Sequence, residues 1–474
     1  MRVLLLNAAF NRYGGVQGHG GAQIPLNLCY LAAYVRRQRP GVEVRILDAE
    51  AEGLRHEQTV ERAAGFAPDL VGITANTCVF DSVIDLTALL KRRMPSAKVV
   101  LGGSHPTALP ERTLAECQAD FLVLGEGEIT LNELAGRLAE GPNGWGDIAG
   151  LAFRDAEGKA VVNAPRPLIE DLDSLPMPAR DLVDNSLYYP PPTKNVSSGR
   201  STLISTSRGC PFHCGFCSAN TVWMSRRIRS RSAGNLVEEM AECVGRYGIA
   251  SFNFADEFFT ADKARVLAIC ELIRQRGLEV TWVCSARAQK LDRQTLQAMK
   301  AAGCRELSFG IESGSPEILQ RMDKRIDLEE AKSVISAANA LGIRTHAGFI
   351  IGYPGETAET VRQTVRVAKW LDVDIAAFWI ASPLPGSRLW EEANANGWIR
   401  PGARWSDFSP LSNNRSVLTI PTLSIDRIRQ LHRRALRSFY FRPRYILRKL
   451  LSIRHGYQIA NLFKGLLILM RIRK

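Results

Sequence analysis

The chain has 474 residues, 46% hydrophobic and 23% charged, which excludes a disordered or fibrous chain and leaves room for two or three domains. Its ten cysteines, apart from three in one short run, are scattered through apolar segments, as expected of buried free thiols in a reducing compartment. The net charge of +13 belongs to the tail: residues 426–474 hold fourteen Lys or Arg against one acidic residue, so residues 1–425 are neutral overall. The N-terminal run turns polar too soon for a signal peptide, and no stretch reaches about 18 uninterrupted apolar residues, so the cytoplasm is the expected location.

The first third alternates short apolar runs, at 3–6, 44–47, 70–74, 99–101 and 121–124, with helical patterns such as 26–37, 82–93 and 129–138. Alternation of this kind predicts an α/β fold, a Rossmann-like doubly wound parallel sheet covered on both faces. Ligands of such sheets bind outside the carboxyl ends of the strands. Glycines and small polar residues gather at those ends: Asn7 with Gly14 and Gly15, then Thr74-Ala-Asn76-Thr77, Gly102-Gly103-Ser-His105 and Gly125-Glu126-Gly127-Glu128. Four such loops on one edge suggest a large ligand approached closely by backbone. His105 is the one histidine in these loops, and a loop-stabilising hydrogen bond competes with a ligand role.

Residues 146–197 are proline-punctuated and extended, a connector wrapped between two domains. From residue 198 a second βα series begins, with strands at 202–205, 251–254, 280–284, 306–310, 345–351 and 375–380. Helical patterns fill the intervals, at 236–247, 264–276, 293–302, 328–340 and 359–371. Six repeats predict a partial (β/α)6 TIM-type barrel spanning 198–395, with its chemistry at the carboxyl ends of the strands.

The first of those ends carries Arg208-Gly-Cys-Pro-Phe-His-Cys-Gly-Phe-Cys217. Three thiolates are one short of the four that usually close an iron–sulfur cube, so a [4Fe–4S] cluster on Cys210, Cys214 and Cys217 keeps one iron open to a small molecule. The alternative is a zinc loop with His213 as fourth ligand.

This C-x3-C-x2-C spacing resembles the signature of the radical S-adenosylmethionine (SAM) enzymes. The resemblance implies that the cysteines are catalytic: the open iron chelates SAM, and an electron from the cluster cleaves it to a 5′-deoxyadenosyl radical. It implies SAM-binding roles along the later strand ends. Phe216 lies near the adenine. Asp256 and Glu257 receive the amino group, with a helix N-cap as the competing reading. Arg287 suits the carboxylate through its two-pronged donors. Glu312 takes the ribose hydroxyls, with Ser313 allowing close approach. Gly348 and Ile350 belong to a G-x-I-x-G-x-x-E element that packs on adenine, its Glu356 holding the loop. Pro383 belongs to the loop that closes over the nucleoside.

The N-terminal loops resemble the cobalamin-binding domain that precedes many radical SAM cores. That resemblance implies cobalamin contacts from Asn7, Thr74, Asn76, Thr77, Gly102, Gly103, His105, Gly125, Glu126 and Gly127. The chain lacks Asp-x-His-x-x-Gly, so a histidine from that motif is not expected on cobalt. The implied organisation is a cobalamin-binding domain at 1–145, the connector, the barrel, and a basic, mainly helical region at 396–474. The implied activity is C-methylation, in which methylcobalamin supplies the methyl group. Oxidative cyclisation without methyl transfer, resembling the anaerobic magnesium-protoporphyrin cyclases, is the alternative, and a non-catalytic corrinoid or iron–sulfur sensor is a third reading. Partners implied are a small-molecule substrate and a low-potential donor of flavodoxin or ferredoxin type. For the basic tail, peripheral contact with the inner membrane face competes with domain packing. Nucleic acid is disfavoured, since no reading module is present.

Overall fold

A computed structural model describes residues 1–10, 22–141, 144–190, 200–289, 291–409 and 416–451. Gly14, Gly15 and the apolar run 462–470 lie outside the described residues.

Five strands, β1 (Arg2–Asn7), β2 (Glu43–Asp48), β3 (Leu70–Thr74), β4 (Lys98–Gly102) and β5 (Phe121–Val123), form a parallel sheet in the order 2-1-3-4-5. Successive residues of a strand point to opposite faces, so a strand between two helical layers must be apolar throughout. β1 shows this: Val3 and Leu5 join the core under helices Leu26–Gln38 and Gly127–Glu140, whereas Leu4 and Leu6 join the one under His56–Phe66 and Phe80–Arg93.

β6 (Leu151–Arg154) and β7 (Ala160–Val162) form an antiparallel hairpin that extends this sheet beyond β5. These residues fall within the stretch expected to be an extended connector. Two short apolar runs around a turn that closes on Gly158, at φ +81°, form the hairpin instead. The connector proper runs across both halves of the molecule. Arg180, 2% exposed, meets Glu239 at 2.6 Å, and the Tyr188 hydroxyl reaches Asp48 at 3.0 Å.

The second series contributes β8 (Ser201–Ile204), a small antiparallel ladder of β9 (Ser207–Arg208) and β10 (Arg229–Ser230), then β11 (Ser251–Phe254), β12 (Thr281–Ala286), β13 (Cys304–Glu312), β14 (Arg344–Ile351) and β15 (Ile375–Ile380). β8 and β11 to β15 make one six-stranded parallel sheet in sequential order, the partial barrel expected from the sequence. Helices Ala233–Tyr247, Lys263–Gln275, Arg293–Ala301, Leu328–Ala340 and Ala358–Leu371 follow its strands.

The basic region divides. Helix Ile425–Tyr440 buries Ile428, Leu431, Ala435, Leu436 and Phe439 in the barrel's core, and the Tyr440 hydroxyl donates to Ala376 O at 2.9 Å. Helix Pro443–Leu451 leaves Ile446, Leu447 and Leu451 exposed, beside Phe441. Among the described residues, no helix is long and apolar enough to cross a membrane. The turn Trp405–Phe408 returns to the first domain, where Trp405 Nε1 donates to Glu116 and Ser406 N to Asp81.

Candidate active site

The cysteine loop starts where β9 ends. Gly209 has φ +99°, and a Cβ there would strike the Arg227 carbonyl, so only glycine turns the chain into the loop. Cys210 and Cys214 are half-buried and Cys217 is exposed. Cys217 N donates to Cys214 O at 2.9 Å, and Cys217 Sγ accepts from Ala219 N at 3.4 Å. Desolvation pushes the Cys214 thiol up, and Lys324 and Arg287 oppose it. Cys210 raises both Cys214 and Cys217, and Cys214 also raises Cys217. No three His, Cys, Asp or Glu side chains among the described residues stand at metal-ligating distances. Three neighbouring thiols on a glycine-loosened loop, with two cations beside them, nevertheless suit a tri-thiolate cluster that also holds an anionic ligand.

The cations come from the segments just after β12 and after β13. The Arg287 guanidinium lies 3.5 Å from the centre of the Phe212 ring and donates to Arg325 O. Glu312, at the end of β13, takes a left-handed backbone at φ +70°, beside a register shift in the sheet, and its carboxylate accepts from Lys324 Nζ at 3.2 Å. Holding a non-glycine residue there costs about 1–3 kcal/mol, a strain that marks functional positions. Lys324 was not anticipated. It follows the short helix Pro316–Arg321 instead of a strand end, so the rule that found the other residues passes over it.

Two expected SAM contacts are committed elsewhere. Asp256 is buried and accepts from Thr206 N at 2.7 Å, Thr206 Oγ1 at 2.5 Å and Ser207 Oγ at 2.7 Å. It anchors the segment leading into the cysteine loop. Ser313 is fully buried, with its hydroxyl between Thr364 Oγ1 and Ser315 N, each at 3.1 Å. Glu257 is exposed and accepts from Trp223 Nε1 at 2.5 Å, and neither it nor Asp256 caps the following helical turn.

The other positions are apolar or backbone. Gly348 pairs with Gly310 and Ala377 inside the sheet. Ile350 and Pro383 are buried, while Phe216 is half-buried against the same core. Glu356 accepts from Gly352 N at 2.5 Å and Tyr353 N at 3.3 Å, and burial pushes its carboxyl up to about 8. Thr221 Oγ1 donates to Gly386 O at 2.7 Å, latching the loop after β15 onto the segment behind the cysteines.

On the first sheet the strand ends line up: Asp48, Asn7, Thr74, Gly102 and Val123 are register partners in turn. Their loops are tied to protein more tightly than the sequence suggested. Asn7 Nδ2 donates to Asp48 at 2.8 Å, Thr74 Oγ1 accepts from Asn27 at 2.8 Å, and Asn76 Oδ1 caps Cys78 N and Val79 N. Thr77 Oγ1 meets His105 Nδ1 at 3.2 Å.

His105 is fully buried, stacked on Phe80 at 4.0 Å and edge-on to Trp405 at 4.6 Å. Burial, helped by Arg112, lowers its pKa to about 3, so the ring is neutral, and its buried Nε2 has no hydrogen-bond partner among the described residues. Glycine serves protein contacts too: a Cβ at Gly103 would lie 2.7 Å from Ala75 O, and one at Gly125 would lie 2.7 Å from Met224 Sδ. Gly127 is similarly tight, with Leu31 and Val123 at 3.2 Å. Glu126 is spent on protein: its carboxylate accepts from Arg208 at 2.9 Å, Arg229 at 2.9 Å and Ile169 N at 2.8 Å. The residues left along this row, from Asn7 and Thr74 to Asn76, Gly102 and Gly103, are exposed or half-exposed and uncharged, which suits a large planar ligand.

The Radical SAM superfamily profile matches residues 204–368 and the B12 binding domain profile residues 19–135. An uncharacterised methyltransferase of Pyrococcus horikoshii is 36% identical over 98% of each chain. The anaerobic magnesium-protoporphyrin IX monomethyl ester cyclase of Rubrivivax gelatinosus is 30% identical, over 83% of this chain and 70% of its own. Among solved structures, the radical S-adenosylmethionine methyltransferase TsrM of Kitasatospora setae superposes with a TM-score of 0.71, at 21% identity over 94% of this chain and 89% of that one, and so shares the fold. The chain therefore belongs to the radical SAM superfamily, among the members that carry a B12-binding domain, whose cofactors are a [4Fe–4S] cluster, SAM and cobalamin.

Proposed function

We propose that the protein methylates an unactivated carbon of a small molecule, with SAM and cobalamin meeting between the two sheets. The observation that carries this reading is that the cysteine loop and the carboxyl edge of the first sheet are held together: Arg208 pairs with Glu126 and Glu128, and Met224 packs on Gly125. The methyltransferase relative, matched along nearly its whole length, supports the same outcome. When bound, the cluster supplies a low-potential electron to SAM, and the corrin supplies a transferable methyl group.

The chain's own residues position these partners. Cys210, Cys214 and Cys217 anchor the cluster. Arg287 and Lys324 offer positive charge for the SAM carboxylate, and Glu312, oriented by Lys324, offers acceptor oxygens for the ribose. Phe216 and Ile350 form the apolar wall for adenine, and Glu257 remains for the amino group. On the cobalamin side the edge from Asn7 and Thr74 through Asn76 to Gly102 and Gly103 would carry the corrin.

Cyclisation without methyl transfer is the second reading, favoured by the cyclase relative at 30% identity. SAM carrying a deuterated methyl group separates the two: label in the product supports methyl transfer, and an unlabelled product removes it. A low-potential flavodoxin- or ferredoxin-type protein is the proposed electron donor. The proposed setting is the cytoplasm, with helix Pro443–Leu451 touching an anionic membrane surface. Exposed Phe441, Ile446, Leu447 and Leu451 beside basic residues support that contact. Flotation with anionic liposomes, with and without residues 441–474, tests it, and equal recovery overturns it.

A further inference from the structure

The structure buries an ion cluster between the two cofactor loops. Glu126 and Glu128 stand in the loop after β5 and at the start of helix Gly127–Glu140. Arg208 stands two residues before Cys210, and Arg229 is its partner across the β9–β10 ladder. Arg208 reaches Glu126 at 2.9 Å and Glu128 at 2.6 Å, while Arg229 reaches Glu126 at 2.9 Å and Ile169 O at 2.6 Å. All four side chains are at most 9% exposed. Two carboxylates against two guanidiniums leave no net charge, and losing any member leaves a buried charge uncompensated.

Other contacts bring the same two loops together. The Arg208 guanidinium lies 5.8 Å from the ring centres of both Tyr30, on helix Leu26–Gln38, and Trp223, just behind the cysteines. Met224 packs on Gly125, where an added Cβ would lie 2.7 Å from its sulfur and force the methionine to shift. Ile169 N donates to Glu126, so the connector joins the cluster as well.

From this arrangement we infer that Arg208, Glu126, Glu128 and Arg229 couple the two cofactor sites. Ordering the cysteine loop around its cluster orders the Gly125–Glu128 loop at the corrin edge, and the reverse. These are positioning residues, held by one another and by the connector. Because one set of side chains fixes both loops, the second cofactor meets a loop already held, which strengthens its binding without any new contact. Linkage requires the effect to be reciprocal, and couplings of this kind are typically about 5–150-fold.

The inference rests on the proposed presence of both cofactors, and the experiment separates the two claims. Hydroxocobalamin binding is measured by visible absorption on full-length protein, with and without the reconstituted cluster. Cluster content is followed in parallel by iron analysis and electron paramagnetic resonance. In the native sequence the cluster should tighten cobalamin binding by at least about fivefold. In Glu126→Gln and Arg208→Lys that ratio should fall to about one, while iron per chain is retained. Should the single variants fold poorly, a charge-free set, Glu126→Gln, Glu128→Gln, Arg208→Met and Arg229→Met, removes the stranded charge and should show the same loss. A ratio of one in the native protein, or an unchanged ratio in the folded variants, overturns the coupling alone. Failure of the native protein to bind cobalamin overturns the cofactor assignment and the coupling with it.

Discussion

Along the carboxyl edge of the first sheet most of the polar side chains are answered by protein, whereas along the second sheet thiols, cations and a strained carboxylate are gathered around one loop. Asn7, Asn76, Thr77 and Glu126 all have protein partners, and His105 is sealed under Trp405. Arg287, Lys324 and Glu312 stand beside the cysteines, where their charges act on the thiols. The difference fits what each ligand demands. A corrin needs a broad, shape-matched bed made of backbone and small residues. SAM on an iron needs directed charge for its carboxylate and hydroxyls. The first edge binds its polar groups to neutral or buried partners, whereas the second keeps Lys324 and Glu312 paired, and Arg287 stacked on Phe212, beside the thiols.

Breaking the joint between the edges should have the largest effect. Arg208→Ala takes the guanidinium from Glu128 and leaves Glu126 with Arg229 alone, and should cost about 3–5 kcal/mol of stability, read as a lowered midpoint in urea. A loss under about 1 kcal/mol would mean that water already reaches the cluster. Next comes the charged edge itself. Lys324→Met removes a cation and frees Glu312, and should weaken SAM binding by about 10–100-fold with the iron content intact, measured by calorimetry on clustered protein. The same substitution should leave cobalamin binding in cluster-free protein unchanged, and a fall there would blur the division.

The smallest effects are opposite pH dependences. His105 is held near 3, below its unfolded value, so its contribution to stability is present above about pH 6.5 and is lost as pH falls toward 3. The slope is about 1.4 kcal/mol per pH unit at most, and His105→Phe should flatten the acid limb of a melting-temperature profile. Glu356 is held near 8, above its unfolded value, so its contribution is present below about pH 4.5 and is lost as pH rises through 8. Glu356→Gln keeps an acceptor for Gly352 N and Tyr353 N and should flatten the alkaline limb. If either variant melts with the native profile, that group does not titrate as its burial indicates.

The sheets were legible because buried parallel strands must be apolar throughout, and each helix between them shows its own period. The cysteine loop was legible because ligand spacing is local in sequence. Partnership is not local. Asp256 lies 50 residues from Thr206, Ser313 is 51 from Thr364, and Glu126 is 82 from Arg208. At these positions a strand-end polar residue reads the same whether it faces a ligand or a distant side chain. Glycine misled in a similar way, since Gly103 and Gly125 make room for Ala75 and Met224 and not only for a cofactor. Lys324 escaped because nothing in its neighbourhood marks a lysine after a short helix as pointing at Glu312.

Release of 5′-deoxyadenosine tests the central claim most directly. Anaerobic protein given dithionite and SAM should form it, and Cys210→Ala/Cys214→Ala/Cys217→Ala, folded but depleted of iron, should form none. Equal release from both proteins would contradict a cluster held by these three cysteines.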